Sequence, residues 1–215
     1  MNKRLLKLRK FGTMVVAMMM VFTSIMTLLS ENVSAKEFTG KKGSVYYTHD
    51  AGQVTYGPGA GGYSNTLKTT LNDNLGSRYS YCVQPNNGSV SAGKATIDKV
   101  VTDDTTDGAS SKWNAMRNIL YYSPSYPGYE KNVKGVKDKY YTGNHSKDWG
   151  IAHLALSWAY TGRSGSDMET WAGTHASACG EVWTKAKALC NAMWNDGTKV
   201  DDAVPEGFTV FICYQ

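Results

Sequence analysis

Short apolar and polar runs alternate along the first half of this chain, and the period changes to a helical one after Asp107. Val45-Tyr46-Tyr47, Gln53-Val54-Thr55-Tyr56, Tyr79-Ser80-Tyr81-Cys82-Val83 and Ala95-Thr96-Ile97-Asp98-Lys99-Val100 are aromatic or β-branched runs broken by Gly-, Pro- and Asn-rich turns, so strands are expected there. Gly57-Pro58-Gly59-Ala60-Gly61-Gly62 reads as a loop; the Lys-Ser/Thr and helix that a phosphate cradle needs do not follow it. Ser110 or Ser111 is placed to cap a helix through about Tyr122, with Trp113, Met116, Arg117 and Leu120 on one face. Pro124 and Pro127-Gly128 end it. Asp148 is the expected cap of a second helix, Trp149 to Tyr160, which Gly162 closes. A third is expected from near Ser177 to Trp194, its stripe being Val182, Ala186, Leu189, Cys190 and Met193. Asn195-Asp196-Gly197 stops it, and a last strand follows Pro205-Glu206-Gly207. Strands, then helices, then a strand imply an α+β fold: a β-sandwich or barrel with an inserted helical subdomain.

The first 35 residues form a different class of segment. Lys3, Arg4, Lys7, Arg9 and Lys10 precede an apolar run from about Phe11 to Leu29, and Val33-Ser34-Ala35 offers the small residues a signal peptidase accepts. A secretory leader over residues 1–35 is expected, with an uncleaved membrane anchor as the other use of the same run. The leader also changes the charge argument. Of 23 Lys and Arg it carries five, and of 18 Asp and Glu only Glu31, so residues 36–215 hold 18 positive against 17 negative charges. The basicity belongs to the leader, which removes the case for a nucleic-acid partner. The remaining 180 residues suit one module with a sizeable core. They end inside Phe208-Thr209-Val210-Phe211-Ile212-Cys213-Tyr214, a strand with no turn after it and no sortase-type signal, so a longer surface protein is expected to continue from it.

Export permits disulfides, and there are four cysteines. Cys179 and Cys190 lie eleven residues apart on one expected helix, roughly 16 Å along its axis. A bridge needs Cα atoms within about 7 Å, so this pair is excluded unless the helix begins well after Cys179. Cys190–Cys213 and Cys179–Cys213 remain open. Cys82 differs from the rest. It ends a strand before Val83-Gln84-Pro85, where the chain must turn, and a strand end is a rigid place from which to present a reactive side chain.

Four motifs stand in order: Tyr81-Cys82, then Asn118-Ile119-Leu120-Tyr121-Tyr122 leading to Pro127-Gly128, then Ala152-His153-Leu154-Ala155-Leu156-Ser157-Trp158, then Pro205-Glu206-Gly207-Phe208. In that order they resemble the thioester domains of Gram-positive surface adhesins and pilus-tip proteins. In that family a Tyr-Cys motif supplies a sulfur and a TQxAIW-type helix supplies a glutamine, which condense with loss of ammonia to an internal thioester. The resemblance departs twice: His153 stands at the glutamine, and Ser157 stands at the family's Trp, with Trp158 one place later. An imidazole has no acyl carbon, so Cys82 and His153 cannot form that bond. The remaining glutamines are poorly aimed: Gln53 is on a strand or turn, Gln84 is two residues from Cys82, and Gln215 is the last residue.

The resemblance implies that Cys82 and His153 meet in space and that Ala155, Leu156 and Trp158 are core. Three roles for His153 stay open: a structural hydrogen-bonding group, an imidazolium that activates the Cys82 thiolate, and a metal ligand. For the metal, His145 and His175 lack an evident ligand spacing. The function so implied is a secreted or cell-wall adhesin module that binds a host or extracellular-matrix protein. It sits beside further β-domains, uses no cofactor or metal, contacts no membrane after leader cleavage, and forms no Cys–Gln thioester. The alternative is a secreted cysteine hydrolase or transamidase built on Cys82 and His153.

Overall fold

A computed structural model describes residues 41–43, 45–56, 65–73, 76–83, 93–102, 110–163, 166–195 and 200–214. The expected leader, the loop at 57–62, Gln84-Pro85 and Gln215 lie outside the described residues. Strands β1 (Val45–Thr55), β2 (Asn65–Asp73), β3 (Gly76–Ser80), β4 (Gly93–Val101) and β5 (Val210–Tyr214) form one antiparallel sheet in the order β3-β2-β1-β4-β5. Between β4 and β5 come helices α1 (Ser110–Tyr121), α2 (Pro127–Glu130), a 3-10 turn (Val133–Gly135), α3 (Val136–Tyr140), α4 (His145–Tyr160) and α5 (Ser166–Asn195). Helix and strand are thus mixed as expected, with the helices inserted before the last strand. The second layer of a sandwich is not among the described residues.

Several local expectations are corrected. The two runs at Val45 and Gln53 are one strand, bent by an extra residue between Asp50 and Gln53 relative to β2. The strand expected over Tyr79–Val83 ends at Ser80, which leaves Cys82 two residues beyond the ladder. β2 had no counterpart in the sequence pattern: its run of Thr, Asn, Lys and Asp dilutes any apolar alternation. Pro127 starts a short helix after ending the previous one, as a proline at the first helical position can.

The largest correction concerns Asp148. It does not cap α4; the helix begins a turn earlier, and Asn144 Oδ1 accepts from the Lys147 amide at 3.1 Å. Asp148 is instead fully buried and accepts from Tyr129 Oη at 2.6 Å, from Thr142 N and Oγ1 at 2.7 Å each, and from Gly143 N at 3.1 Å. An N-cap signal and a tertiary acceptor use the same side-chain oxygens, and here three other residues claim them first. Asp148→Asn keeps the shape but turns one acceptor into a donor facing donors. A loss of about 2 kcal/mol in urea unfolding is expected, and no loss would show that these bonds are interchangeable with water.

The far end of α4 follows the sequence. Gly162, at φ +75°, donates to Ala159 O and Arg163 donates to Trp158 O, both at 3.0 Å, which satisfies the last carbonyls. Helix α5 starts well before Ser177 but breaks at Gly180 (φ +45°, ψ −116°); beyond the break the expected stripe Val182, Ala186, Leu189, Cys190 and Met193 is buried. No described helix is long and apolar enough to cross a membrane.

Two of the four motifs serve packing. Arg117 of α1, fully buried, donates from Nε to Phe208 O and from a terminal nitrogen to Pro205 O at 2.9 Å. Asn118 Oδ1 accepts from Asp201 N at 3.0 Å, and the Tyr121 and Phe208 rings meet edge to face at 5.4 Å. The segment before β5 is therefore tied to α1, which returns the chain to the sheet edge beside β4.

Candidate functional site

Twelve consecutive residues of α4, Asp148 to Ala159, are buried, because a helix apolar on nearly every side has no face to give to water. Ala155, Leu156 and Trp158 belong to this core, as expected. Polar side chains within such a stretch need partners. His153 and Ser157 fall four apart on one face, and Gly150 precedes His153 by three, so the three line up along the helix.

Three chain segments converge on that line. The first is the end of β1. Tyr56 lies so close to Gly150 that a Cβ there would sit 2.3 Å from the ring's Cγ, and its hydroxyl reaches His153 Nδ1 at 2.9 Å. The second is the end of β3. Tyr81 Oη donates to Pro124 O at 3.0 Å and its ring stacks on Trp149, centroids 4.5 Å apart, while Tyr126 Oη donates to Tyr79 O at 2.6 Å. Held on both sides, the strand end delivers Cys82 to α4, where the Cys82 carbonyl accepts from Ser157 Oγ at 3.4 Å. That hydroxyl makes a shorter bond to its own helix, 2.9 Å to His153 O. The third segment is the break in α5, which places Cys179 in the same buried cluster as Tyr56. Both Cys179 and Cys82 oppose ionisation of the Tyr56 phenol, whose pKa is raised first of all by burial.

His153 is only 4 % exposed. Burial pushes its pKa down to about 4, against a smaller opposite pull from the Cys82 backbone. At neutral pH the ring is uncharged. Nε2 has no hydrogen-bond partner, so the Cys82 carbonyl acts on the ring as a nearby dipole and not through a closed bond. A carbonyl only accepts, which favours the tautomer with its proton on Nε2 and Nδ1 free to accept from Tyr56.

Each sequence-derived site residue can now be placed. Cys82 is half-buried, outside any disulfide, on the Tyr56–His153–Ser157 cluster. His153 faces its backbone from α4. His145 sits at the opposite end of α4 against the Trp149 ring. The cysteine bridges left open to Cys213 are not formed: none of the four cysteines is in a disulfide, and burial raises Cys179, takes Cys190 up to about 12 and Cys213 up to about 11. Gln53 lies on β1 opposite Leu67. A cavity of about 610 Å³ lined by Lys41, Lys42, Asp98, Lys99 and Val100 shares no residue with the cluster.

Sequence reasoning missed Tyr56, Gly150 and Cys179. A glycine three residues before the histidine of the apolar run Ile151–Ala159 was the available signal, since such a gap admits a close neighbour. Nothing local identified that neighbour as Tyr56, 97 positions away.

Comparison with known proteins bears on what this cluster descends from. No curated protein and no solved structure matches the chain. A family model described as a thioester domain matches residues 44–195. That span covers most of the chain and includes Cys82, delivered from the end of β3, and the α4 helix it meets. The sulfur-bearing strand end seated against a single buried helix is what such a domain needs, and the chain belongs to the thioester-domain family.

Proposed function

We propose that this protein is a secreted or cell-surface adhesin-type module that binds a host or extracellular-matrix protein reversibly, with no internal Cys–Gln thioester. Residues 1–35 are its leader and residues 36–215 the module, carried beside further β-domains in a cell-wall or pilus-tip protein; strands completing a sandwich or barrel around the sheet belong to the same reading. The observation that carries it is the identity and state of His153. The position facing Cys82 holds a neutral imidazole bonded to Tyr56, and that group has no carbonyl carbon for a sulfur to attack. The site keeps the architecture of a thioester pocket while lacking its acyl donor.

The enzyme reading, a hydrolase or transamidase using Cys82 and His153, is disfavoured by the same observation. A general base works best with a pKa near the operating pH, and an imidazole at about 4 neither accepts a thiol proton readily nor pairs with a thiolate as a cation.

Intact-mass measurement tests the proposal: the secreted chain should have its unmodified mass from residue 36 onward. A deficit of one ammonia that Cys82→Ala abolishes would overturn it and point to Gln84, Gln53 or Gln215. A second arm tests reversibility. Complexes with immobilised matrix proteins should separate completely in hot detergent, and a cross-linked band that survives would refute reversible binding.

A further inference from the structure

The Gly150–His153–Ser157 face of α4 grips two chain ends at once. Tyr56 is seated on Gly150 and bonded to His153, and the Cys82 carbonyl takes a minor share, at 3.4 Å, of the Ser157 hydroxyl whose main bond is to His153 O at 2.9 Å. Between them stands a buried ring with one nitrogen occupied and the other without a partner. The cluster reaches the surface on one side, where Tyr81, Cys82 and Val83 are half-buried.

We propose that His153 is an acid-released latch: its protonation breaks the grip on Tyr56, loosens the segment after β3 and opens the Cys82 thiol to solvent. This holds whether or not the module binds the ligand class proposed above. An imidazolium donates from both nitrogens, so Nδ1 can no longer accept the Tyr56 hydroxyl. A buried cation also needs an anion, and none faces it among the described residues. From β1 the ring meets Tyr56 and from beyond β3 the Cys82 backbone, while the thiols of Cys82 and of Cys179 from α5 lie near enough to act on the Tyr56 phenol; none of these groups is an anion in mild acid. On its own helix the nearest carboxylate, Asp148, is taken by Tyr129, Thr142 and Gly143. The buried cation of α1, Arg117, is turned to the carbonyls of Pro205 and Phe208. A charged His153 therefore gains most by moving to water, and the half-buried Cys82 side is the near exit.

The thiol itself reports the latch. The probe is 4,4′-dithiodipyridine, an aromatic disulfide that exchanges with thiols at acid pH and releases a pyridinethione; labelled cysteines are located by peptide mass spectrometry. Rates are normalised to the urea-unfolded chain at each pH. With a ring held at about 4 when closed and near 6.5 when released, relative opening at Cys82 should rise on the order of fifty-fold between pH 7 and pH 4.5. Cys190, in the core, should stay protected throughout. His153→Asn, which cannot titrate, keeps an acceptor near the Nδ1 position for Tyr56 and does not restore the family's glutamine, should keep Cys82 protected at pH 4.5. Tyr56→Phe removes the hydroxyl and should raise labelling at pH 7 while flattening the pH dependence. Constant protection of Cys82 would overturn the latch, as would an equal acid response in His153→Asn. Loss of protection at Cys190 together with Cys82 would also overturn it, since that is global unfolding.

Discussion

Gly150→Ala should destabilise the protein by about 3 kcal/mol, the upper end for an overpacked core site. Helix propensity alone points the other way, since alanine in place of a helical glycine stabilises by up to about 1 kcal/mol. The sign of the change therefore reports tertiary contact. The new Cβ would lie 2.3 Å from Tyr56 Cγ, 2.6 Å from Cδ2 and 2.8 Å from Tyr56 Cβ. These atoms form the root of the side chain, so no rotation of a flexible tip relieves the clash, and β1 or α4 must shift. The shift also pulls the hydroxyl away from His153 Nδ1. Urea unfolding of Gly150→Ala, Tyr56→Ala and the double variant checks the assignment. The double variant should be far less damaged than the sum of the singles, because the second truncation removes what the first collides with. A Gly150→Ala protein as stable as the parent would mean that Tyr56 is not seated there.

Acid should weaken the fold in a window set by His153. Its folded pKa, about 4, lies below the ordinary value of 6.5. The unfolded state therefore takes up the proton first as pH falls. The ring's contribution to stability is complete above about pH 6.5, declines as pH drops toward 4, and is gone below that. The shift corresponds to about 3 kcal/mol across the window. Carboxylates add their own acid dependence, so the informative quantity is the difference between the parent and His153→Asn at pH 7, 5.5 and 4. The parent should lose about 3 kcal/mol more than the variant over that range. Parallel curves would show that the ring is not held neutral by the fold.

The elements most legible in the sequence were those whose burial is one-sided or complete. The stripe from Val182 to Met193 has a helical period because one face of α5 packs and the other does not. The run Ile151 to Ala159 is apolar because α4 is buried on all sides. Strand β4 and the glycine stop at Gly162 were visible for equally local reasons. What escaped was either polar by composition or decided at long range. β2 is rich in threonine and asparagine, and the first half of α5, Ser166–Cys179, is small and polar; neither announces its state. The start of α4 was misplaced because Asp148 looks like a cap until Tyr129, Thr142 and Gly143 are brought to it.

The candidate site divides the same way. Cys82 and His153 were found in the sequence through their place in ordered motifs, and that residue 153 cannot itself be an acyl donor follows from its identity alone, since no fold gives an imidazole a carbonyl carbon. The protonation state of that imidazole was not available there. It depends on the removal of water from around the ring and on a phenol arriving from 97 residues away, both products of packing. A sequence specifies which atoms a side chain can offer; the dielectric and the partners that decide what those atoms do exist only once β1, β3 and α5 have closed on α4.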